Sequence, residues 1–182
     1  MKKAIVVGTS HTIQRGNSKA QEFESYIRKL CSFYNVNAIA EEIDNNYICF
    51  AICKGLNIEY KIIEPTEEEK QDLGILTLNK IVNVMYNKYL QPDNPVDKPR
   101  LQQWPKYPNK ENLPQDIYEE YENMFQDTCR QREKEWLNRI IDFNTWPILV
   151  ICGADHYEPF RKLMSENNIE VIREDSKFGL EE

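Results

Sequence analysis

The stretch that decides the fold is WPILVICGADH, residues 146–156. An unbroken apolar run at residues 148–152 is followed by Gly153 and then by His156, one of only two histidines in the chain. The other histidine has the same setting, because AIVVGTSH at residues 4–11 also places an apolar run and a glycine before His11. Short continuous apolar runs rich in β-branched residues are typical of parallel strands covered on both faces. The repeated unit therefore predicts two buried parallel strands, each followed by a histidine.

Strand-like and helical patterns alternate outward from these two units. Residues 18–34 carry apolar side chains on one helical stripe, and Ser18 with Gln21 has the spacing of a capping box. Such alternation indicates parallel strands joined by right-handed crossovers. We therefore predict an α/β fold with a mostly parallel five-stranded sheet flanked by helices. The predicted strands are residues 4–7, 37–42, 58–63, 148–152 and 169–172.

Residues 66–144 interrupt this alternation between the third and fourth predicted strands. Thr66 followed by three glutamates indicates a helix start, and a long helical pattern covers residues 115–143. Residues 92–114 hold six of the nine prolines together with Trp104 and Tyr107, which predicts an ordered loop, either a substrate-facing lid or a segment pinned to the core. We predict a single domain, residues 1–182, in which residues 66–144 are a helical insertion with a proline-rich loop.

The charge and cysteine content narrow the classes of partner and location. A net charge of -7 argues against a nucleic-acid partner and against an anionic membrane surface, because both attract clustered Lys and Arg. No stretch of the sequence approaches the roughly 20 apolar residues of a membrane span. The five cysteines are odd in number and include no C-x-x-C pair, so we predict reduced thiols and a cytoplasmic protein.

Polar residues follow three of the predicted strands, where an open parallel sheet binds its ligand. His11 follows the first strand, Glu41 and Glu42 end the second, and His156 follows the fourth. Two imidazoles and a carboxylate suit a divalent transition metal such as Mn, Co, Zn or Fe, and a bound metal generates hydroxide from water. We predict His11, Glu41 and His156 as metal ligands and Glu41, Glu42 and Arg132 as catalytic residues.

Each of these residues also has a simpler interpretation. A histidine at a strand end can be a hydrogen-bonding or capping residue, and successive strand side chains point to opposite faces, so only one of Glu41 and Glu42 reaches the site directly. Arg132 lies on the apolar stripe of residues 115–143. It is either an ion-paired arginine at the rim of a core, a clamp for an anionic group, or a partner for the strand-end carboxylates.

The order of these motifs resembles the TraB/Tiki group of the erythromycin-esterase and ChaN-like superfamily. The motifs here are GTSH at residues 8–11, EE at 41–42, an arginine-bearing helix, and GADH at 153–156. In that group a Gly-x-x-His, one or two glutamates, an arginine on a late helix and a second Gly-x-x-His occur in this order. The resemblance covers most of the chain and implies a site made of His11, Glu41, Glu42, Arg132 and His156. The superfamily includes metal-dependent proteases, macrolide esterases and haem-binding proteins, so it selects no substrate.

Three functional hypotheses follow. The first is a soluble metal-dependent hydrolase of the TraB/Tiki type, acting on a peptide or ester bond of a small-molecule or peptide substrate, with Arg132 stabilising an anionic group. The alternative is a non-catalytic protein that holds a small anionic ligand, such as a nucleotide, in the same crevice. The third is an interaction module whose proline-rich loop docks a partner.

Overall fold

The computed structural model describes residues 2–43, 47–90, 100–106 and 108–180. Within these residues, five strands form one sheet in which neighbouring strands are parallel. This confirms the predicted α/β class with a five-stranded parallel sheet. The strands are β1 (Lys3–Thr9), β2 (Ala38–Glu41), β3 (Glu59–Ile62), β4 (Ile148–Gly153) and β5 (Glu170–Arg173).

The strand order places β4 between two strands that are formed much earlier in the chain. The order across the sheet is β3-β2-β4-β1-β5. Thr9 of β1 pairs with Gly153 of β4, and Glu41 of β2 pairs with Ile151 of β4. The carboxyl ends of β1, β4 and β2 are therefore level and adjacent, and the residues that follow these strands become neighbours.

Helices cover both faces of the sheet. On one face, Ile5 and Val7 of β1 pack in a core with Phe23 and Ile27 of α2 and with residues of α3. On the other face, alternate strand residues pack with α7 and with the last ten residues of α6. Side chains that alternate between two buried faces explain why the strands read as continuous apolar runs. The helices are α1 (His11–Gln14), α2 (Ala20–Tyr34), α3 (Tyr47–Leu56), α4 (Glu67–Asp72), α5 (Leu78–Tyr89), α6 (Gln115–Ile141) and α7 (Ala154–Glu166).

The two predicted helix caps have different outcomes. The Thr66 side chain accepts a hydrogen bond from the Glu69 backbone N–H at 3.2 Å, and the Glu69 carboxylate accepts one from the Thr66 N–H at 2.7 Å, so this predicted start is confirmed as a capping box. The capping box predicted at Ser18 is wrong. The N-cap is Lys19, whose left-handed backbone, φ 49°, leaves Ser18 outside the helix and provides no side-chain cap.

The chain divides into two compact units, one formed by Met1–Pro65 with Arg132–Glu182 and the other by Thr66–Gln131. The second unit begins where the predicted insertion begins, and the single-domain prediction stays a prediction. Within the second unit, Trp104 lies edge-on against Tyr121 with 6.0 Å between ring centroids. This contact favours a pinned segment over a lid for the described part of the proline-rich loop, whereas residues 92–99 and Tyr107 lie outside the described residues. The core of this unit includes Ile81, Met85, Tyr89, Leu113, Ile117 and Tyr121.

Two further sequence expectations concern membranes and cysteines. Across the described ranges, none of the helices is both long enough and apolar enough to cross a membrane. All five cysteines are buried and none forms a disulfide. Burial raises the pKa of the Cys152 thiol well above its usual value. A thiol that resists ionisation is a poor nucleophile, so Cys152 contributes packing rather than chemistry.

Candidate active site

The strand ends at β1 and β4 each lead directly into a helix that carries a histidine. Ser10 follows β1 and caps α1, because its side chain accepts a hydrogen bond from the Ile13 backbone N–H at 3.3 Å. His11 is the first residue of α1, and its side chain is 47% exposed. Gly153 ends β4 and caps α7, whose first turn includes His156. All of these residues belong to the first compact unit.

Glu42 lies at the centre of the cluster and is 1% exposed. Its Oε1 atom is 3.3 Å from His11 Nε2 and 2.7 Å from Arg132 Nη2. Its Oε2 atom accepts a hydrogen bond from the Gly153 backbone N–H at 2.5 Å. His156 Nε2 is 3.8 Å from the same Oε1 atom. One buried carboxylate therefore joins all three strand-end motifs to the arginine.

The pKa of Glu42 shows that its partners dominate its environment. Burial alone would raise the pKa of this carboxyl group. The hydrogen bond from His11, the charge that His156 carries when protonated, the charge of Arg132 and the Gly153 N–H outweigh burial and lower the pKa from 4.5 to about 2. Glu42 is therefore ionised at neutral pH and has only acceptor atoms to offer its neighbours.

The structure places Glu41 away from this cluster. Glu41 is fully buried, and its Oε2 atom accepts a hydrogen bond from the Tyr60 hydroxyl at 3.0 Å. Burial and the nearby Glu41 charge raise the pKa of Tyr60. Glu41 is the last residue of β2, so its side chain and that of Glu42 diverge. The predicted ligand set of His11, Glu41 and His156 is therefore not brought together, and Glu42 stands where Glu41 was expected.

Arg132 is held by two carboxylates. Its Nε atom donates to both oxygens of Glu64, at 3.0 and 3.1 Å, and its Nη2 atom donates to Glu64 at 3.0 Å as well as to Glu42. The Trp136 indole N–H also donates to Glu64, at 2.8 Å. Burial alone would lower the pKa of Arg132, but the charges of Glu64 and Glu42 raise it. The geometry matches the expectation that Arg132 pairs with strand-end carboxylates.

His156 is fixed by contacts on several sides. Its Nδ1 atom is 2.7 Å from Oε1 of Glu133, and its Nε2 atom is 3.4 Å from Arg132 Nη1. Its ring lies edge-on to that of Trp136, with 4.8 Å between centroids. The Arg132 guanidinium carbon is also 5.1 Å from the Trp136 ring centre. Trp136 thus packs against both side chains and limits their movement.

Sequence reasoning missed Glu64 and Glu133, although each left a signal. Glu64 comes two residues after the end of β3, so the strand-end argument that selected Glu42 applies to it as well. Glu133 lies four residues after Cys129 and four before Leu137, both of which are buried. A carboxylate at this spacing falls on the buried face of a helix, where it requires a partner.

Gly153 permits the close approach of the cluster. A Cβ atom at this position would lie 3.3 Å from Glu42 Oε2, 3.6 Å from His11 Nε2 and 3.7 Å from His156 Cδ2. Both imidazoles therefore flank the same glycine, whose N–H holds the carboxylate between them. Any side chain here would crowd the Glu42 oxygen that Gly153 now binds.

The predicted divalent metal would compete with Arg132 for the same atoms. The guanidinium lies 2.7 Å from Glu42 Oε1 and 3.4 Å from His156 Nε2, which are two of the atoms that would bind a metal. In the part of the chain that the structure describes, no group of three His, Cys, Asp or Glu side chains has an arrangement that could hold a metal ion. The donor set therefore does not fit the metal, because Arg132, which Glu42 shares with Glu64, lies where the metal would bind.

The fold and the cluster together define a class of protein: a parallel α/β protein with a His/Glu/Arg cluster at adjacent strand ends. No family model, curated protein or solved structure matches this chain. The resemblance to the TraB/Tiki group accordingly stays a prediction.

Proposed function

We propose that this protein is a hydrolase that activates water with a histidine base and needs no metal cofactor. Its substrate is a small molecule or peptide with an ester or peptide bond. The observation that carries the proposal is the pairing of a buried, ionised carboxylate, Glu42, with the half-exposed ring of His11. A carboxylate that holds an accessible imidazole is a recurrent arrangement for general base catalysis.

The pairing defines how His11 would act. Glu42 has only acceptor atoms, so the His11 Nε2 atom, 3.3 Å away, carries the hydrogen. The lone pair is then on Nδ1, which takes a proton from water as the water oxygen attacks the carbonyl carbon. The negative charge of Glu42 stabilises the imidazolium that forms. The proton then passes to the leaving oxygen or nitrogen, so the ring is restored.

Arg132 acts on Glu42 in this proposal. Its Nε and Nη2 groups donate to Glu64 and Glu42, so these donors hold the carboxylates in place. A buried carboxylate left without its cation would be costly, since unpaired buried charges destabilise a fold by several kcal/mol. The role that the sequence suggested for Arg132, stabilising an anionic group of the substrate, stays a prediction.

The TraB/Tiki resemblance implies both hydrolysis and a metal cofactor. We propose hydrolysis without the metal. The two can be separated with chelator-treated protein and a panel of chromogenic esters and fluorogenic peptides. We expect turnover that chelation leaves unchanged. His11→Ala should lower kcat/KM about 100-fold or more, the range typical of a lost general base.

The matched control is Glu158→Gln, since Glu158 lies on the same helix as His156 but is 61% exposed and pairs with Arg161. It should hydrolyse as the wild type does. Unchanged turnover in His11→Ala would refute the His11 mechanism, and loss of turnover on chelation would refute its independence of metal.

The other hypotheses remain predictions. The anionic-ligand alternative gains no support from Arg132, because three of its donor contacts are directed at Glu64 and a fourth at Glu42. Mass spectrometry of small molecules released from the purified protein tests it. The docking role of the loop at residues 92–114, the cytoplasmic location and the lack of a nucleic-acid partner likewise stay predictions.

A further inference from the structure

We propose that Glu133 is a positioning residue that sets the tautomer of His156 and, through His156, the orientation of Arg132 and Glu42. The proposal rests on the proposed function only in its kinetic readout. Glu133 is 1% exposed and lies on α6, so it acts through another side chain and does not touch the substrate itself. No strand-end motif contains it.

Glu133 contacts His156 directly. The Glu133 Oε1 atom is 2.7 Å from His156 Nδ1, and His156 is itself buried. A carboxylate oxygen accepts hydrogen bonds, so the hydrogen of the neutral imidazole is placed on Nδ1. Trp136 packs edge-on against the ring and restricts its rotation.

The His156 tautomer determines what the ring offers to Arg132. With the hydrogen on Nδ1, the Nε2 atom of His156 has a lone pair that faces Arg132 Nη1 at 3.4 Å. The opposite tautomer would point an N–H at the guanidinium, which has donors only. Glu133 therefore selects the tautomer that can accept from Arg132.

Arg132 connects His156 to Glu42 and, through Glu42, to the exposed ring of His11. Arg132 Nη2 donates to Glu42 Oε1 at 2.7 Å, and that oxygen is 3.3 Å from His11 Nε2. A continuous series of polar contacts thus runs from the buried Glu133 to the exposed His11. The His156 tautomer therefore reaches Glu42 and His11 through the one guanidinium nitrogen, Nη1, that Glu64 and Glu42 do not hold.

The test uses two readouts, the histidine tautomer and steady-state kinetics. Nitrogen-15 NMR distinguishes an Nδ1–H ring from an Nε2–H ring, and the chain has only two histidines, so the His11→Ala spectrum assigns the signals. The variants are Glu133→Leu, which removes the acceptor at similar size, and Glu133→Gln, which retains an amide oxygen that can accept. The matched control is Glu158→Leu on α7, where the carboxylate is exposed.

We expect an Nδ1–H ring for His156 in the wild type, in Glu133→Gln and in Glu158→Leu. In Glu133→Leu we expect a mixture of tautomers, with KM within about twofold of wild type and kcat about 10-fold lower, the low end of the loss seen when a metal-bound histidine loses the partner that orients it. Glu133→Gln should recover most of kcat.

Three results would overturn the proposal. One is a wild-type His156 with its hydrogen on Nε2. This result needs only the wild-type protein, so it refutes the proposal even if Glu133→Leu does not fold. Another is a fall in kcat of Glu133→Leu with an unchanged tautomer, which marks a purely structural role. The third is an equal loss of kcat in Glu133→Gln and Glu133→Leu. If His11→Ala keeps full turnover, the proposed function fails, while the tautomer measurements still test the role of Glu133.

Discussion

Glu42 should make the folded protein sensitive to acid in a defined pH range. Its pKa is 4.5 in its ordinary state and about 2 in the folded protein. Each pKa unit corresponds to 1.36 kcal/mol, so ionised Glu42 stabilises the fold by about 3 kcal/mol at pH 7. The free energy of unfolding of a typical domain is about 5 to 15 kcal/mol, so Glu42 contributes a large share.

The lowered pKa of Glu42 determines whether acid stabilises or destabilises the fold. Because the folded pKa is lowered, the stabilisation is complete above the unfolded value of 4.5 and is lost as the pH falls through about 2. At pH 3 we expect the stabilisation by ionised Glu42 to be about 2 kcal/mol smaller than at pH 7. Urea unfolding followed by tryptophan fluorescence at pH 7, 5, 4 and 3 measures this loss.

The Glu42→Gln variant isolates the contribution of this one carboxylate from other groups that titrate in acid. We expect it to be about 3 kcal/mol less stable than wild type at pH 7, with the difference shrinking toward pH 3. Glu158→Gln is the control, because an exposed ion pair contributes about 0 to 1 kcal/mol. A Glu42→Gln protein within about 1 kcal/mol of wild type at pH 7, or a difference that does not change with pH, would refute the reasoning.

Three further predictions concern the cluster and the second unit. Gly153→Ala should cost about 1 kcal/mol in urea unfolding and lower turnover, because the new Cβ lies 3.3 Å from Glu42 Oε2, an atom that Gly153 N–H holds in place; wild-type values for both would contradict it. Arg132→Lys keeps the charge but not the forked geometry toward Glu64 and Glu42, so we expect lower stability and turnover than wild type, and equal values would show that charge alone suffices. Thr66→Ala removes the N-cap of α4 and should cost about 1 kcal/mol by thermal unfolding, whereas an unchanged melting temperature would show that the cap contributes nothing.

The sequence could locate the strand-end residues of the cluster and, on the buried stripe of α6, Arg132. The runs at residues 4–7 and 148–152 correspond to β1 and β4, and the polar residues after them face one crevice because parallel strands share a direction. Which glutamate faces the histidines depends on the residue at which β2 ends. That residue is Glu41, and the alternation of side chains cannot reveal such an endpoint from sequence.

Other features depend on long-range contacts or on local backbone geometry. The position of β4 between β2 and β1 is set by pairing between distant segments, which local patterns do not encode. The Ser18 cap failed because Lys19 adopts a left-handed backbone before α2, so a matching pair of residue types was not enough. Glu133, the partner of His156, lies inside α6 and follows no strand, so only its spacing from Leu137 places it on the buried face.

The insertion of β4 into the middle of the sheet also governs how the chain can fold as it is synthesised. Among the described residues, β1 pairs only with β4 and β5, so it has no strand partner until residue 148 has been made. During translation, β2 and β3 can pair as soon as both have been made, whereas the apolar β1 has only helices to pack against until β4 is made. Nascent chains that end before β4 should therefore leave the apolar β1 without a strand partner, and the last strands to emerge complete the sheet.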